Sequence, residues 1–228
     1  MPSVVEPPKF EKVEQVHFEP GYWNNVYVVG DVHGCFDEMK KLLRKLDVSD
    51  DELVVFVGDL IRKGPDSPKV IETVKSNDNF VSVRGNNEEK VIRGKASVDD
   101  ETDTEYISTM PAVVSWGSSV AVHGGIDPSL PPEQHRLSTL QSMRSVDGGG
   151  YDGELWFENY DGDYRVFFGH TVLRSPVETD SAVGLDTGCV YGGELTAYDT
   201  GESRFVSVPA ESEYRSRRDD KVVSTSDI

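Results

Sequence analysis

The chain has 228 residues, and its 41 Asp and Glu against 23 Lys and Arg give a formal net charge of −18. Such an acidic surface repels nucleic acid and anionic membranes, so the composition predicts no bulk binding to either, and it suits solubility in high salt. No stretch approaches the roughly 18 apolar residues of a membrane span, and no basic start followed by an apolar core marks a secretory signal. The sequence therefore predicts a cytoplasmic protein.

The length predicts one large domain between two short flanking segments. Residues 1–20 are rich in Pro and Glu and are expected to form a partly loose N-terminal extension. Residues 21–210 are predicted to form the domain, and the charged, serine-rich residues 211–228 are expected to be a disordered tail. Cys35 and Cys189 are too few for a disulfide framework and are interpreted as small buried thiols.

The first half of the domain alternates two kinds of pattern. Short apolar runs rich in β-branched and aromatic residues predict strands, and apolar residues at helical spacing predict helices. This order of elements predicts a right-handed parallel βαβ unit. The elements are a strand at 26–30, a helix at 36–46, a strand at 53–57, a helix at 67–76, a strand at 80–83 and a helix starting near Asn87.

The second half is richer in short strands separated by glycine-rich turns. Residues 138–163 are glycine-rich and irregular, which predicts a long binding loop or lid. Its aromatic residues, Tyr151, Trp156 and Tyr160, either stack on a nucleobase or pack against their own domain. The predicted strands are 113–116, 119–123, 165–169, 182–185, 195–198 and 205–208.

Polar side chains follow five of the predicted strands. Taken alone, a His after an apolar run is more often a hydrogen-bonded core residue, but six donors in equivalent positions predict a metal site. Their mixed oxygen and nitrogen atoms suit Mn²⁺, with Fe, Zn²⁺, Ni²⁺ or Co²⁺ as alternatives, and two such ions about 3.5–4 Å apart can share one carboxylate. The predicted ligands are Asp31, His33, Asp59, Asn86, His123 and His170.

The ordered motifs around these ligands resemble those of the calcineurin-like metallophosphoesterases. More narrowly they resemble the phosphoprotein phosphatase superfamily, and residues 63–67 and 184–193 are closest to the symmetrical diadenosine tetraphosphatases. The resemblance covers about residues 27–208 and implies an α/β fold, a four-layer αββα sandwich of two mixed sheets flanked by helices. The motifs are Gly-Asp-Val-His-Gly at 30–34, Gly-Asp-Leu at 58–60, Gly-Asn-x-Glu at 85–88, Val-His-Gly-Gly at 122–125 and Phe-Gly-His-Thr at 168–171.

The resemblance also implies a role for each ligand. Asp59 would bridge two divalent metals, and a hydroxide held between them would attack phosphorus. Arg84 matches the phosphate-binding arginine of the family, its alternative being a surface salt bridge. Arg144 is either a second phosphate clamp or merely exposed. The first metal would be held by Asp31 and His33, and the second by Asn86, which also faces substrate, with His123 and His170.

Two motifs depart from the protein phosphatases, which read Gly-Asp-x-x-Asp-Arg-Gly and Gly-Asn-His-Glu. This chain has Arg62 and Lys63 in the first motif and Asn87 in the second. The family's His, oriented by its Asp, is the general acid, and Asn87 cannot supply a proton in that way. A departing phosphate with a pKa of about 6 needs less help, so the sequence favours phosphoanhydrides such as dinucleoside polyphosphates. Lys63 keeps a positive charge for phosphate, and Arg62 either adds one or pairs with a carboxylate.

The leading interpretation is a binuclear hydrolase of phosphate esters or phosphoanhydrides. Asp59, Lys63, Arg84 and Asn87 would occupy catalytic positions, and the substrate would be a phosphorylated small molecule, a nucleotide or a phosphoprotein. One alternative is a serine/threonine-type protein phosphatase. Another is a catalytically weakened metal-binding regulatory protein. The complete set of predicted metal ligands argues against this alternative.

Overall fold

The structure is a computed structural model that describes residues 7–19, 21–148 and 150–224. In those ranges the longest helix has 11 residues, and no helix there could span a bilayer. The strands are β1 Gln15–Phe18, β2 Val26–Val29, β3 Leu53–Phe56, β4 Phe80–Ser82, β5 Val113–Trp116, β6 Ser119–Ala121, β7 Arg165–Phe168, β8 Val177–Glu178, β9 Ala182–Gly184, β10 Glu194–Asp199 and β11 Arg204–Pro209. The α-helices are α1 Phe36–Leu46, α2 Ser67–Lys75, α3 Asn86–Ile92, α4 Thr104–Ser108 and α5 Leu137–Ser142.

The strands form two mixed sheets. The first has the order β11-β10-β2-β3-β4, in which β2, β3 and β4 run parallel and β10 is antiparallel to both of its neighbours. The second has the order β1-β5-β6-β7-β9-β8, in which β6, β7 and β9 run parallel. The predicted α/β class with two mixed sheets is therefore confirmed.

Successive residues of the central strands face different layers, because side chains alternate along a strand. Val28 and Val55 lie between the two sheets, in one apolar cluster with Phe167. Val29, the next residue of β2, packs on the other face with Met39 of α1. All four residues of β2 and of β3 are buried, which explains why these strands read as unbroken apolar runs.

The outer face of the second sheet is covered by α5 and by the aromatic loop that follows it. The ring of Trp156 is buried, with its centroid 4.9 Å from that of Phe168 and 5.8 Å from that of Tyr160. Trp156 and Tyr160 therefore pack against their own domain. The expectation of an irregular stretch over 138–163 is wrong at its start, where the helix Leu137–Ser142 forms.

Both flanking segments contain ordered structure that the composition did not reveal. Strand β1 lies within residues 1–20 and pairs in parallel with β5. The expectation of disorder is wrong for residues 211–224, where, for example, the Tyr214 hydroxyl donates to Glu38 Oε1 at 2.9 Å. This segment has no apolar periodicity, and polar anchors of this kind cannot be recognised from composition. The first six and the last four residues of the chain lie outside the described ranges.

Candidate active site

The two sheets present the carboxyl ends of their parallel strands to the same edge of the sandwich, where α/β folds place chemistry. In the first sheet, ligands follow β2, β3 and β4, and in the second they follow β6 and β7. All six predicted ligands meet there. We call them the ligand cluster, which consists of Asp31, His33, Asp59, Asn86, His123 and His170.

Asp59 lies at the centre of the ligand cluster. Its Oδ2 is 3.5 Å from His33 Nε2, and its Oδ1 is 3.3 Å from His123 Nε2. His33 Nε2 also lies 3.8 Å from Asp31 Oδ2. Ligand atoms of Asp31, Asp59 and His123 all lie within 4.8 Å of one another. The central position of Asp59 is the one that a shared carboxylate requires.

The remaining two ligands lie beside His123. The ring of His170 is 5.0 Å from that of His123, measured between centroids, and its Nδ1 is 3.2 Å from Asn86 Nδ2. The backbone N–H of His170 donates to Asp31 Oδ1 at 3.2 Å. This bond joins the strand ends of the two sheets.

The turns that carry these side chains are strained. His33, Asp59 and His170 have φ angles of 50°, 51° and 63°, in the left-handed region that non-glycine residues rarely adopt. Each such residue costs on the order of 1–3 kcal/mol, and the surrounding fold must supply that energy. Gly169 allows close approach, because a Cβ there would overlap Asp31 Oδ1.

The ligand cluster fits divalent metal ions. His123 Nδ1 faces the carbonyl oxygen of Val57 at 2.8 Å, which assigns the proton to Nδ1 and leaves the Nε2 lone pair towards Asp59. The Nε2 atoms of His123 and His170 are buried without a hydrogen-bond partner among the described residues. Such atoms are costly unless a ligand satisfies them.

The charges in the cluster point the same way. Burial, together with the nearby carboxylates of Asp186 and Asp59, raises the pKa of Asp31 well above its ordinary value. Burial also acts to raise the pKa of Asp59, but electrostatic interactions with His123, His33 and Lys63 outweigh it and hold the pKa well below its usual range. Carboxylates crowded in one buried site favour a bound cation.

Lys63 extends into the ligand cluster. Its Nζ lies 2.7 Å from His33 Nε2 and 5.3 Å from the centroid of the Tyr191 ring. Burial, followed by the charge of Lys63, lowers the pKa of His33 to about 3, so His33 is a neutral nitrogen donor at pH 7. Burial acts to lower the pKa of Lys63 itself, but Asp59 and Tyr191 outweigh it and the pKa rises. Lys63 therefore stays charged.

The two residues that depart from the protein phosphatase motifs contact each other. Arg62 Nη1 donates to Asn87 Oδ1 at 2.6 Å. The backbone N–H of Asn87 donates to Asp59 Oδ1 at 2.8 Å, and Asn87 Nδ2 donates to Asp59 Oδ2. Asn87 therefore orients Asp59, and its amide has no acidic proton to give to a leaving group.

A cavity of about 310 Å³ opens over the ligand cluster. Arg144 lies at its rim, where Nη2 donates to the carbonyl oxygen of His170 at 3.3 Å. Five basic residues line this one cavity in a chain of net charge −18, so positive charge is concentrated here. We call them the cation wall, which consists of Arg62, Lys63, Lys90, Arg144 and Arg217.

Arg84 does not belong to the cation wall. Its Nε lies 3.4 Å from Glu89 Oε2, and its Nη2 lies 3.7 Å from Glu14 Oε2. It lines a separate cavity with Leu137. The expected phosphate contact of Arg84 stays a prediction, and in this structure its guanidinium lies beside two acidic side chains, away from the cavity over the ligand cluster. The salt-bridge alternative is the one observed.

Five residues at the cavity were absent from the predicted site: Lys90, Val172, Asp186, Tyr191 and Arg217. Lys90 follows the ligand Asn86 by four positions on α3, so helical spacing could have placed it on the same face. Asp186 and Tyr191 lie in a glycine-rich stretch that the sequence marks as a motif. Arg217 carries no such signal, because it lies in the segment predicted to be disordered.

Known proteins share these features. Residues 25–200 match the family model of the calcineurin-like phosphoesterases. The bis(5'-nucleosyl)-tetraphosphatase PrpE [asymmetrical] of Anoxybacillus flavithermus is 30% identical, over 82% of this chain and 95% of that protein. The protein of the same name from Bacillus subtilis is 29% identical, over 84% and 97%. Serine/threonine-protein phosphatase 1 of Salmonella typhimurium is 29% identical, over 76% and 91%.

Solved structures show the same fold. One described as a candidate diadenosine tetraphosphatase has a TM-score of 0.76 and 28% identity, with 87% of this chain and 98% of that chain covered. A protein serine/threonine phosphatase from Saccharomyces cerevisiae has a TM-score of 0.61 at 17% identity, which shows the fold alone. The predicted likeness to diadenosine tetraphosphatases is confirmed, but the PrpE relatives are named asymmetrical and not symmetrical as the sequence suggested.

Proposed function

The chain belongs to the calcineurin-like phosphoesterase family and is a hydrolase of phosphoesters or phosphoanhydrides. On this premise we propose that it cleaves dinucleoside polyphosphates. We propose that it does so with two divalent metal ions, of which Mn²⁺ is the first choice. The observation that carries the proposal is the union of the ligand cluster with the cation wall in one cavity. A single phosphate needs fewer cations than this wall offers, whereas a polyphosphate carries several negative charges. Relatives named as tetraphosphatases support the same substrate class.

The ligand cluster would hold both ions, with Asp59 shared between them. When bound, such ions activate water and polarise the phosphoryl group. Asn87 fixes the orientation of Asp59 through two hydrogen bonds, and His123 is fixed by Val57. These bonds hold the ligands in place before substrate arrives, which lowers the cost of reorganisation during the reaction.

Arg62, Lys63 and Arg144 would neutralise the substrate's phosphates. A hydrogen bond to a charged group contributes about 1.5–3 kcal/mol, so each of these contacts would change affinity measurably. The contact between Arg62 and Asn87 replaces the general-acid pair of the protein phosphatases. A phosphate leaving group with a pKa of about 6 tolerates that replacement better than an alkoxide does.

A serine/threonine-type protein phosphatase is the second candidate, and the Salmonella relative favours it. The Arg62–Asn87 contact speaks against it, because an alkoxide leaving group needs a proton. A regulatory protein with weakened catalysis is supported only by that same contact, while the intact ligand cluster favours an enzyme. We also propose the cytoplasm as the location, since nucleotide substrates are made and used there.

The experiment compares kcat/KM of the Mn²⁺-loaded protein on diadenosine tetraphosphate, a phosphoserine peptide and p-nitrophenyl phosphate. We expect the tetraphosphate to exceed the peptide by about tenfold or more, since a general acid contributes about 10²–10⁴-fold where it is needed. The products decide between symmetrical cleavage to two ADP and asymmetrical cleavage to ATP and AMP; the relatives' names carry the word asymmetrical. Equal or better turnover of the peptide would contradict the proposal, and no turnover at all with two ions bound would favour the regulatory protein.

A further inference from the structure

The C-terminal tail after β11, residues 210–224, forms hydrogen bonds with residues around the active site. The Tyr214 hydroxyl donates to Glu38 Oε1 of α1 at 2.9 Å. The Nε of Arg215 donates to the carbonyl oxygen of Lys63, a member of the cation wall, at 3.1 Å. The backbone N–H of Val223 then donates to the carbonyl oxygen of Val172 at 2.8 Å. Residues 214–223 thus run from α1 past the ligand loops to the segment that follows β7.

Arg217 is the residue of this tail that reaches the cavity. Its Cζ lies 4.7 Å from the ring centroid of Tyr191 and 5.5 Å from that of Tyr151. Its Nε donates to the carbonyl oxygen of Lys221 at 2.8 Å, and its Nη2 donates to the Tyr151 hydroxyl. Its Nη1 has no hydrogen-bond partner among the described residues. Arg217 is half-buried, whereas the adjacent Arg218 is exposed.

Arg217 also lines two cavities. It lines the cavity over the ligand cluster, and it lines a second cavity, again of about 310 Å³, with Thr187 and Asp219. Tyr191 is common to both walls. An extended ligand whose phosphate lies at the ligand cluster and whose remainder occupies the second cavity would therefore lie near Arg217.

The charge of Arg217 acts on the buried carboxyl of Asp186 in the same cavity, but it forms no contact ion pair among the described residues. No carboxylate oxygen of the described residues lies within 4 Å of its guanidinium, although the chain has 41 acidic residues. By contrast Arg218 pairs with Asp220. A guanidinium that is held on two rings and keeps its Nη1 without a partner is suited to bind an external phosphate.

From this placement we propose that Arg217 binds a phosphate of the substrate beyond the one that is attacked, so that the C-terminal tail determines the preference for polyphosphates over monophosphates. The inference rests on the proposed function and deepens it. The alternative is that Arg217 only fastens the tail through its contacts with Tyr191 and Tyr151. The two roles differ in whether the effect of a substitution depends on the number of phosphates in the substrate.

The test compares Arg217→Gln with Arg218→Gln, which removes the same charge one residue away. Activity is measured on diadenosine tetraphosphate and on p-nitrophenyl phosphate, and inorganic tripolyphosphate is titrated as a competitor of the latter reaction. For Arg217→Gln we expect KM for the tetraphosphate and Ki for tripolyphosphate to rise about tenfold or more, as the loss of one charged hydrogen bond predicts. The ratio of kcat/KM on the tetraphosphate to that on p-nitrophenyl phosphate should fall by a similar factor.

Arg218→Gln should stay within about twofold of the wild type on all three measurements. Arg217→Lys should lie between Gln and wild type, because Lys keeps the charge and loses the fork. An equal loss on both substrates with an unchanged Ki would show that Arg217 only fastens the tail, and a gain of activity would show that the tail obstructs the site. Either result overturns the proposal. Failure of the proposed function is distinct, because it would show in the wild type as turnover of p-nitrophenyl phosphate without turnover of the tetraphosphate.

Discussion

The ligand cluster and the cation wall meet in one cavity, but they are built in different ways. Asp31 and His123 of the ligand cluster are 3% and 0% exposed and lie on short turns directly after buried strands. The cation wall consists of long side chains from loops, from α3 and, at Arg217, from the tail. The contrast indicates that metal positions require a rigid backbone, whereas a flexible, highly charged substrate can be bound by flexible cations.

The rigidity of the ligand cluster depends on one buried carboxylate outside it. Glu88 Oε2 accepts from the backbone N–H groups of Asp59 at 3.0 Å and of Gly85 at 2.9 Å, and Oε1 accepts from that of Ile61 at 3.2 Å. Glu88 therefore ties the loop after β3 to the loop after β4. The cation wall is held differently, by shared aromatic rings: Tyr151 lies against Arg144 and Arg217, and Tyr191 lies against Lys63 and Arg217.

The largest expected effect comes from Asp59→Asn, which breaks the ligand cluster at its centre. Loss of the shared negative charge should lower kcat/KM on p-nitrophenyl phosphate by about 10³-fold, equivalent to roughly 4 kcal/mol of transition-state stabilisation. Steady-state kinetics with Mn²⁺ and the metal content of the purified variant provide the measurement. Asp37→Asn, an exposed residue that pairs with Lys40, is the matched control. Activity within tenfold of the wild type would show that Asp59 is not shared.

Glu88→Ala should have the next largest effect, and it acts on stability. Three backbone N–H groups would lose their acceptor, at about 1–3 kcal/mol for each buried group, so the free energy of unfolding should fall by at least about 3 kcal/mol. Urea denaturation measures this change. Glu89→Gln, at the adjacent position, loses only ion pairs near the surface and should cost less than about 1 kcal/mol. Similar losses of unfolding free energy in the two variants would show that Glu88 does not stabilise the ligand cluster.

A double substitution, Arg62→Asp with Asn87→His, tests the contact between Arg62 of the cation wall and Asn87, which orients Asp59 of the ligand cluster. It rebuilds the general-acid pair of the protein phosphatases at the observed 2.6 Å contact. We expect kcat/KM on a phosphoserine peptide, relative to diadenosine tetraphosphate, to rise by about tenfold, at the low end of what a general acid supplies. Each single variant should give less than the pair. An unchanged ratio would show that the missing acid does not set substrate choice.

The smallest effect is expected for Arg84→Gln. Because Arg84 pairs with Glu14 and Glu89 away from the cavity, kcat/KM should stay within about twofold of the wild type and stability within about 1 kcal/mol. Arg62→Gln, which removes a member of the cation wall, should lower kcat/KM on the tetraphosphate by about tenfold. If Arg84→Gln had the larger effect, the side chain would have to turn towards substrate during the reaction.

The sequence was sufficient for the ligand cluster because each ligand lies next to a glycine, at or just after the end of a short apolar run. Each sequence motif therefore marks both the end of a strand and its ligand. The parallel strands then bring the ligands of distant motifs to the same edge of the sheet. The strands of both sheet centres were predicted for the same reason. The fully buried β2 and β3 leave little ambiguity between strand and surface loop.

The sequence was insufficient where position depends on contacts between distant segments. Arg84 lies next to the ligand loop in the chain, yet Glu14 and Glu89 draw it away. Arg217 is distant in the chain, yet Tyr151 and Tyr191 hold it at the cavity. Neither set of contacts produces a periodic or local sequence signal. A charged segment such as the C-terminal tail is therefore predicted to be disordered even when distant contacts hold it in place.

The central claim is that two metal ions share Asp59, and anomalous diffraction from crystals soaked in Mn²⁺ tests it directly. The account predicts two anomalous peaks on either side of the Asp59 carboxylate, the first against Asp31 and His33 and the second against His123 and His170. A single peak, or peaks that do not contact Asp59, would contradict it.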